Sequence, residues 1–227
     1  SWSVLSGVKQ GERTFRAMES AYGRLVHEES RLVQLLDPPF EKSDRDPGYI
    51  QSYPPGIREN GGQYTHAAAW LGFAFAKLGE GDKAWRIFDI INPIGRTSDK
   101  QGADHYLIEP YVLPGDVTGG DVLSGRGGWS WYTGSASWTW KLAVEGICGI
   151  ELSNSHVRIN PAIPKDWEQF QINLNNKRGN LLIEIENPDR VANGVQWIKV
   201  DGEKIKGAAV RLPGKGKSRH VTVRMGR

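Results

Sequence analysis

Residues 53–79 read YPPGIRENGGQYTHAAAWLGFAFAKLG, a polar loop joined to an apolar segment. From Ala67 onward apolar side chains occupy every side, which predicts a helix buried around its whole circumference and ended by Gly79. Downstream, Ala84, Ile87, Phe88 and Ile91 stand at i, i+3, i+4 and i+7, with Lys83, Arg86 and Asp89 off that stripe. This predicts a one-sided helix, capped by Asp82 and ended by Asn92-Pro93. A buried helix followed by a one-sided one fits a double ring of helices, the first lining the inside and the second packing outside. A plain helical bundle has a similar pattern.

The polar half is built to present side chains. Pro54 and Pro55 fix the approach, and Gly56, Gly61 and Gly62 open backbone conformations closed to other residues. Arg58, Glu59, Asn60, Gln63, Tyr64 and His66 supply donors and acceptors of nearly every kind, which suits a hydroxyl-rich ligand. Any one of them reads as ordinary helix-entry chemistry. Six together beside Gly-Gly read as a site.

Upstream, Phe15, Met18, Tyr22, Leu25 and Val26 form one stripe, predicting a helix over Glu12–Leu36 that Gly23 kinks or divides and Asp37-Pro38-Pro39 stops. Residues 40–52 read as a loop. Downstream, Ile94–Ser130 reads as a long irregular stretch holding Asp104, His105, Glu109, Asp116, Asp121 and Arg126 among glycines. It is too apolar and aromatic, as in IEPYVLPGDV, for disorder, which points to function. GRGGWSWYTGSASWTW then opens a helix that continues through Leu142, Val144 and Ile147 to Gly149. Thr133, Gly134 and Ser135 fall at its N-terminus, where free N–H groups and the helix dipole favour an anion, although many helices begin with Thr or Ser merely as a cap and, taken alone, this one reads as a cap before it reads as an anion site. Trp138 and Trp140 are expected in the core. Trp129 and Trp131, in the loop before the helix, are candidates to stack on sugar C–H faces.

Beyond Glu151 the period becomes two. Phe170, Ile172 and Leu174, then Leu181, Ile183 and Ile185, then Ile198 and Val200, and finally Val221, Val223 and Met225 alternate with polar residues. These predict half-buried strands of a small antiparallel β-domain. Asp201-Gly202 is a hairpin signal, Asn187-Pro188-Asp189 is another connection, and Pro161 and Pro164 mark the crossing between modules.

The 227 residues are 38% hydrophobic and 24% charged, the balance of a soluble globular protein. A formal charge of +3 is too small to argue for nucleic acid. No apolar run is long enough to span a membrane, the first residues lack a signal peptide's pattern, and no metal-ligand spacing is present. The single cysteine, Cys148, excludes an internal disulfide and reads as an inert core residue in a reduced compartment. Nine tryptophans are the unusual feature.

PPGIRENGGQYTHAAAW, INPI, EPYVLPGDV, GRGGWSWYTGSASW and INPAIPKDW, in that order, resemble the C-terminal part of the inverting glycoside phosphorylases of the cellobiose and chitobiose phosphorylase type. The pattern is most similar to the phosphorylase-like region of cyclic β-1,2-glucan synthases and covers nearly the whole chain. The resemblance implies a mainly helical chain with a C-terminal β part, residues 1–150 being the C-terminal portion of an (α/α)6 barrel and 151–227 a small antiparallel β-domain. It implies a β-linked gluco-oligosaccharide substrate and inorganic phosphate as co-substrate, with no other cofactor. His66, Thr133 and Gly134 correspond to phosphate contacts, and Glu59 to a contact with the acceptor-side sugar. Arg58, Asn60, Gln63, Tyr64, Glu109 and Arg126 correspond to neighbouring substrate contacts. In such an enzyme phosphate attacks the anomeric carbon while one aspartic acid protonates the departing oxygen, so a second catalytic carboxylate is unnecessary.

The family's general acid belongs to a Trp- and Asp-rich motif upstream of the Asn-Gly-Gly segment, and no such motif occurs here. No catalytic residue is therefore assigned, and the 227 residues alone are expected to be inactive. Asp104, Asp116 and Asp121 sit in a polar Gly-rich stretch without the apolar surroundings that raise a carboxyl pKa, which argues against each as a replacement. The expected partners are the N-terminal part of the same polypeptide and a second copy, because a partial ring exposes barrel surface. The resemblance further implies a cytoplasmic-side domain of a larger inner-membrane protein. Two other readings stand beside it: a non-catalytic carbohydrate-binding or assembly module, and an (α/α)6-barrel hydrolase, which would need two catalytic carboxylates.

Overall fold

The computed structural model describes residues 1–7, 11–120, 123–177 and 179–226, the side chain of residue 176 excepted. Asp121 lies outside the described residues. In chain order the elements are α1 (Trp2–Leu5), α2 (Glu12–Leu25), β1 (Val26–His27), β2 (Leu32–Val33), β3 (Gln63–Tyr64), α3 (Thr65–Lys77), α4 (Gly81–Ile91), α5 (Pro93–Arg96) and α6 (Lys100–Tyr106). They continue with β4 (Asp116–Val117), β5 (Gly127–Gly128), α7 (Thr133–Lys141) and a π-helical turn (Leu142–Ile147). The strands β6 (Ile150–Leu152), β7 (His156–Ile159), β8 (Gln169–Asn176), β9 (Gly179–Glu186), β10 (Val195–Val200), β11 (Glu203–Ile205), β12 (Ala209–Arg211) and β13 (Ser218–Met225) follow. Backbone packing divides the chain into Ser1–Ala74 with Arg86–Leu142, and Phe75–Trp85 with Ala143–Arg227. Among the described residues no helix is long and apolar enough to cross a membrane, and no group of three or more His, Cys, Asp or Glu could hold a metal.

In the first unit, α3 buries Ala68, Ala69, Leu71, Phe73 and Ala74, as an all-round apolar helix should, and α4 buries Ile87, Ile90 and Ile91. The helix expected over Glu12–Leu36 stops at Leu25. Val26 turns extended and pairs with Val33 while His27 pairs with Leu32, so the apolar residues after Leu25 serve a hairpin whose Leu32 and Val33 are buried. β-branched valines favour that exchange of helix for strand.

The stretch Ile94–Ser130 is more ordered than its glycines suggest. Asn92 caps α5 by accepting from the Ile94 N–H, and Asp99 caps α6 by accepting from the Gly102 N–H at 2.7 Å. Strands β3, β4 and β5 form an antiparallel sheet in which Tyr64, Asp116 and Gly128 lie in one row and Gln63, Val117 and Gly127 in the next. Trp138 packs against Trp70 and Phe73, with ring centroids 5.8 and 6.2 Å apart. Trp140, expected in the core, is 55% exposed. Two residues apart on one helix, the two tryptophans point to nearly opposite sides, so one core face cannot hold both.

In the second unit the alternation read from sequence produces strands whose Leu181, Ile183, Ile185, Ile198, Val221, Val223 and Met225 are buried. Two sheets form, ordered β11-β10-β13-β9-β8 and β12-β7-β6. The layer is not wholly antiparallel, since β13 runs parallel to β9 from Ser218 opposite Asn180 to Arg224 opposite Glu186. Asp201 and Gly202, with φ of 52° and 88°, make the β10–β11 hairpin. Asp82 does not cap α4: it lies in the first turn, and its carboxylate accepts from the Lys165 N–H at 3.0 Å. Burial pushes the Cys148 thiol up to about 11, as an inert cysteine requires.

Candidate functional site

The loop from Tyr53 to Gly62 is tied by short backbone bonds. Gly56 N–H donates to Asn60 O at 2.7 Å, and Gly119 N–H donates to Gly56 O at 2.7 Å. Gly56 has a φ of +86°, and a Cβ there would stand 2.1 Å from Gly119 O, so only glycine lets the two segments approach. Asn60 is fully buried. Its Oδ1 accepts from Phe40 N–H at 2.7 Å, and its Nδ2 donates to Phe40 O at 2.9 Å and Tyr53 O at 2.7 Å. Gln63, also fully buried, accepts from Val33 N–H at 3.0 Å and donates to the Thr65 hydroxyl at 3.3 Å. Both side chains hold the loop, and their hydrogen bonds go to the protein itself.

A cavity of about 80 Å³ is lined by Arg58, Glu59, Tyr64, Gly115, Asp116, Trp129 and Tyr132. Arg58 has a φ of +47°, and its guanidinium stands 5.7 Å from the Tyr53 ring centroid and 5.3 Å from that of Trp129. A hydrogen bond with Tyr53, then the charges of Asp116 and Glu59, raise its pKa. Glu59 has one carboxylate oxygen, Oε2, buried without a partner among the described residues. The Tyr64 and Tyr132 hydroxyls share a 2.8 Å hydrogen bond, which with burial pushes Tyr64 up to about 12.

Asp116 corrects the reading of its loop as a polar environment. It is 8% exposed, and burial raises its carboxyl pKa against the opposing pull of Arg58, with Glu59 adding to the rise. Pairing of β4 between Tyr64 and Gly128 puts it there, with its carboxylate over the Gly128 backbone. Tyr132 is the site residue that sequence reading missed, and Asp116 is named there only to be set aside as an acid. The WYTG and EPYVLPGDV stretches were the signals that could have found them.

Next to this cavity, His66 at the start of α3 meets the start of α7. A Cβ on Gly134 would lie 2.8 Å from His66 Nδ1, so the bare glycine backbone is what admits the imidazole. The His66 ring packs 4.4 Å from Trp70, centroid to centroid, and stacks with Tyr64 at 6.1 Å. Burial lowers its pKa, and its Nε2 is buried with no partner among the described residues. Tyr132 is the N-cap of α7 and makes no side-chain cap, so Thr133 lies in the first turn and is not a cap; Ser135 Oγ there is buried and unpartnered among the described residues. A neutral imidazole and helix-start N–H groups thus face one another, an arrangement suited to an anion.

Trp129 and Trp131 are 63% and 67% exposed, with φ of 45° and 60°, a left-handed conformation that non-glycine residues hold at a cost of ~1–3 kcal/mol. Strained backbone thus turns two large rings toward solvent. Trp131 Nε1 donates to Glu109 at 2.9 Å. That carboxylate, bonded first by its own backbone and then by Trp131, has its pKa lowered. Arg126 is exposed and does not line this cavity.

A family model described as the catalytic domain of the glycosyl hydrolase 94 superfamily matches residues 1–149. The chain belongs to the glycosyl hydrolase 94 superfamily. The matched span holds every residue of the cavity and of the His66–Gly134 junction and ends before β6. Cyclic beta-(1,2)-glucan synthase NdvB of Rhizobium meliloti (strain 1021) is 48% identical over 170 residues, 75% of this chain and 6% of that protein. N,N'-diacetylchitobiose phosphorylase of Vibrio proteolyticus is 30% identical over 227 residues, covering 99% of this chain and 27% of that protein. Solabiose phosphorylase of Paenibacillus borealis is 28% identical over 226 residues, covering 99% and 29%. This glycosyl hydrolase 94 chain therefore spans less than a third of the length of each of these relatives.

Proposed function

We propose that the chain is the C-terminal portion of a glycoside phosphorylase domain like that of cyclic β-1,2-glucan synthases, taking a β-linked gluco-oligosaccharide and phosphate. In this reading residues 1–150 complete an (α/α)6 barrel and 151–227 form its β-domain. His66, Thr133 and Gly134 hold phosphate, which attacks the anomeric carbon with inversion; Glu59 and Arg58 orient sugar hydroxyls, and Trp129 and Trp131 stack on sugar faces. The proton for the departing oxygen comes from an acid outside these residues. A cavity of about 80 Å³ is far below the ~300–1,000 Å³ of complete ligand pockets, which agrees with a site finished by other parts of the polypeptide.

The observation that carries the reading is the meeting of His66 with the first turn of α7, where Gly134 leaves room for the imidazole. In the whole phosphorylase polypeptide, His66→Ala and Thr133→Ala should each raise KM for phosphate by about 10-fold, as loss of a charge-assisted hydrogen bond does, with KM for the oligosaccharide nearly constant. Unchanged phosphate dependence in both variants refutes the assignment.

Burial of Asp116 favours a second reading, in which the chain carries its own proton donor. Glucose 1-phosphate release from β-1,2-gluco-oligosaccharide and phosphate by the 227 residues alone separates the two. The first reading expects none; release that is abolished by Asp116→Asn establishes the second.

A further inference from the structure

A second, larger cavity, of about 570 Å³, lies in the same unit, lined by Arg31, Arg96, Tyr106 and His105 and edged by the exposed Glu29 and Asp99. It is on the other side of the β3-β4-β5 sheet from the site above. Adjacent strand residues point to opposite faces, so where Asp116 faces the small cavity, Val117 faces away and packs in a cluster with Tyr106 and Leu32.

The two arginines of this cavity are paired unequally. Arg31, at the end of the β1–β2 turn, spends its guanidinium on Asp89, donating to the backbone oxygen at 2.5 Å and lying 3.4 Å from the carboxylate. Arg96, the last residue of α5, donates to Arg31 O and has no carboxylate partner among the described residues. Burial, with the Arg31 charge adding to it, lowers the Arg96 pKa to about 10, and its guanidinium stands 5.8 Å from the Tyr106 ring centroid. Nε of Arg31, Nε of Arg96 and the hydroxyl of Tyr106 are all buried without an acceptor or donor among the described residues, and Tyr106 is only 1% exposed. Buried polar groups are ordinarily satisfied, and a desolvated cation ordinarily has a counter-ion. Arg31 has Asp89 as its counter-ion, but among the described residues Arg96 has none, and its Nε and the Tyr106 hydroxyl, from two further elements lining the same cavity, have no partner.

We propose that this cavity is a phosphate-group site, separate from the one at His66, in which Arg96, Arg31 and Tyr106 bind the oxyanion. Donors arriving from the hairpin, α5 and α6 suit a tetrahedral anion better than a planar carboxylate, and guanidinium groups match phosphate oxygens. Glu29 and Asp99 at the edge disfavour a polyanion. The volume leaves room for a body the size of one sugar ring behind the phosphate, so the group can enter as inorganic phosphate or as a sugar monophosphate.

Calorimetric titration of the full chain carrying His66→Ala and Thr133→Ala, which remove the side-chain contacts of the other anion site, tests this with inorganic phosphate in one arm and glucose 6-phosphate in the other. At least one should bind, and the tighter identifies the source. Arg96→Gln should weaken that binding at least ~10-fold. Tyr106→Phe should weaken it several-fold while leaving the melting temperature unchanged, because the hydroxyl it removes bonds nothing among the described residues, so this variant decides the matter if Arg96→Gln does not fold. Absence of binding in both arms, or binding indifferent to the folded variants, overturns the site. Loss of phosphate binding by His66→Ala alone bears instead on the α7 site, so the two ideas fail separately.

Discussion

Replacing Asn60 by alanine separates a loop-holding role from a ligand-contacting one. Three hydrogen bonds, of 2.7, 2.9 and 2.7 Å, would be lost, all to the backbone of Phe40 and Tyr53. At a net ~0.5–1.5 kcal/mol each, with the backbone partners left short of a bond, the loss should be about 2–4 kcal/mol. For a unit of this size that lowers the melting temperature by roughly 5–15 °C. Asn60→Asp should be at least as damaging, since it keeps the acceptor for Phe40 N–H but sets a carboxylate oxygen against two carbonyl oxygens. Urea unfolding followed by tryptophan fluorescence gives the free energy, and hydrogen exchange of the Phe40 amide reports the local opening. A loss under about 1 kcal/mol with Phe40 still protected would refute the reasoning and return Asn60 to the ligand-facing set.

Two further substitutions probe the site's electrostatics and geometry. Asp116 has a folded-state pKa above its unfolded value, so the native state binds the proton more tightly and loses stability as pH rises from the ordinary carboxylate range through the folded pKa. Asp116→Asn should therefore raise the melting temperature at neutral pH, with the gain fading in acid below the ordinary carboxylate range; a loss at neutral pH with no such pH trend sinks the argument. Gly134→Ala would set a methyl 2.8 Å from His66 Nδ1 and 3.2 Å from Cε1, with Trp70 behind the ring. KM for phosphate should rise about 10-fold while helix propensity favours the variant by up to ~1 kcal/mol, and a wild-type phosphate KM contradicts the proposed contact.

The elements legible in the sequence are those long enough to show a period. The all-round apolar segment of α3, the stripe of α4, and the alternation at Leu181, Ile183, Ile185 and at Val221, Val223, Met225 all appear as read. The end of α2 was hidden because Val26 continues the helical stripe of Phe15, Met18 and Tyr22 while belonging to a hairpin. The parallel β9–β13 pair was hidden because alternation fixes a strand's faces and leaves its neighbour and direction open. Within the site, residue types were legible and directions were not. Asn60 and Gln63 carry the same donors and acceptors as a sugar contact, and only the placement of Phe40, Tyr53, Val33 and Thr65 turns them inward.

Asp116 shows why the site's charge could not be read locally. Two-residue strands have no detectable period, so nothing near Asp116 announces that it pairs with Tyr64 on one side and Gly128 on the other. Once paired, the side chains alternate: Asp116 enters the small cavity beside Arg58 and Glu59, and Val117 joins Leu32 and Tyr106. A slip of one residue would send the carboxylate into that apolar cluster and Val117 toward the ligand, an exchange unfavourable on both faces. The apolar cluster behind the sheet therefore sets the register that puts the carboxylate in front of it. Enlarging or shrinking Val117, which touches no ligand in either proposed site, acts on Asp116 through that register alone.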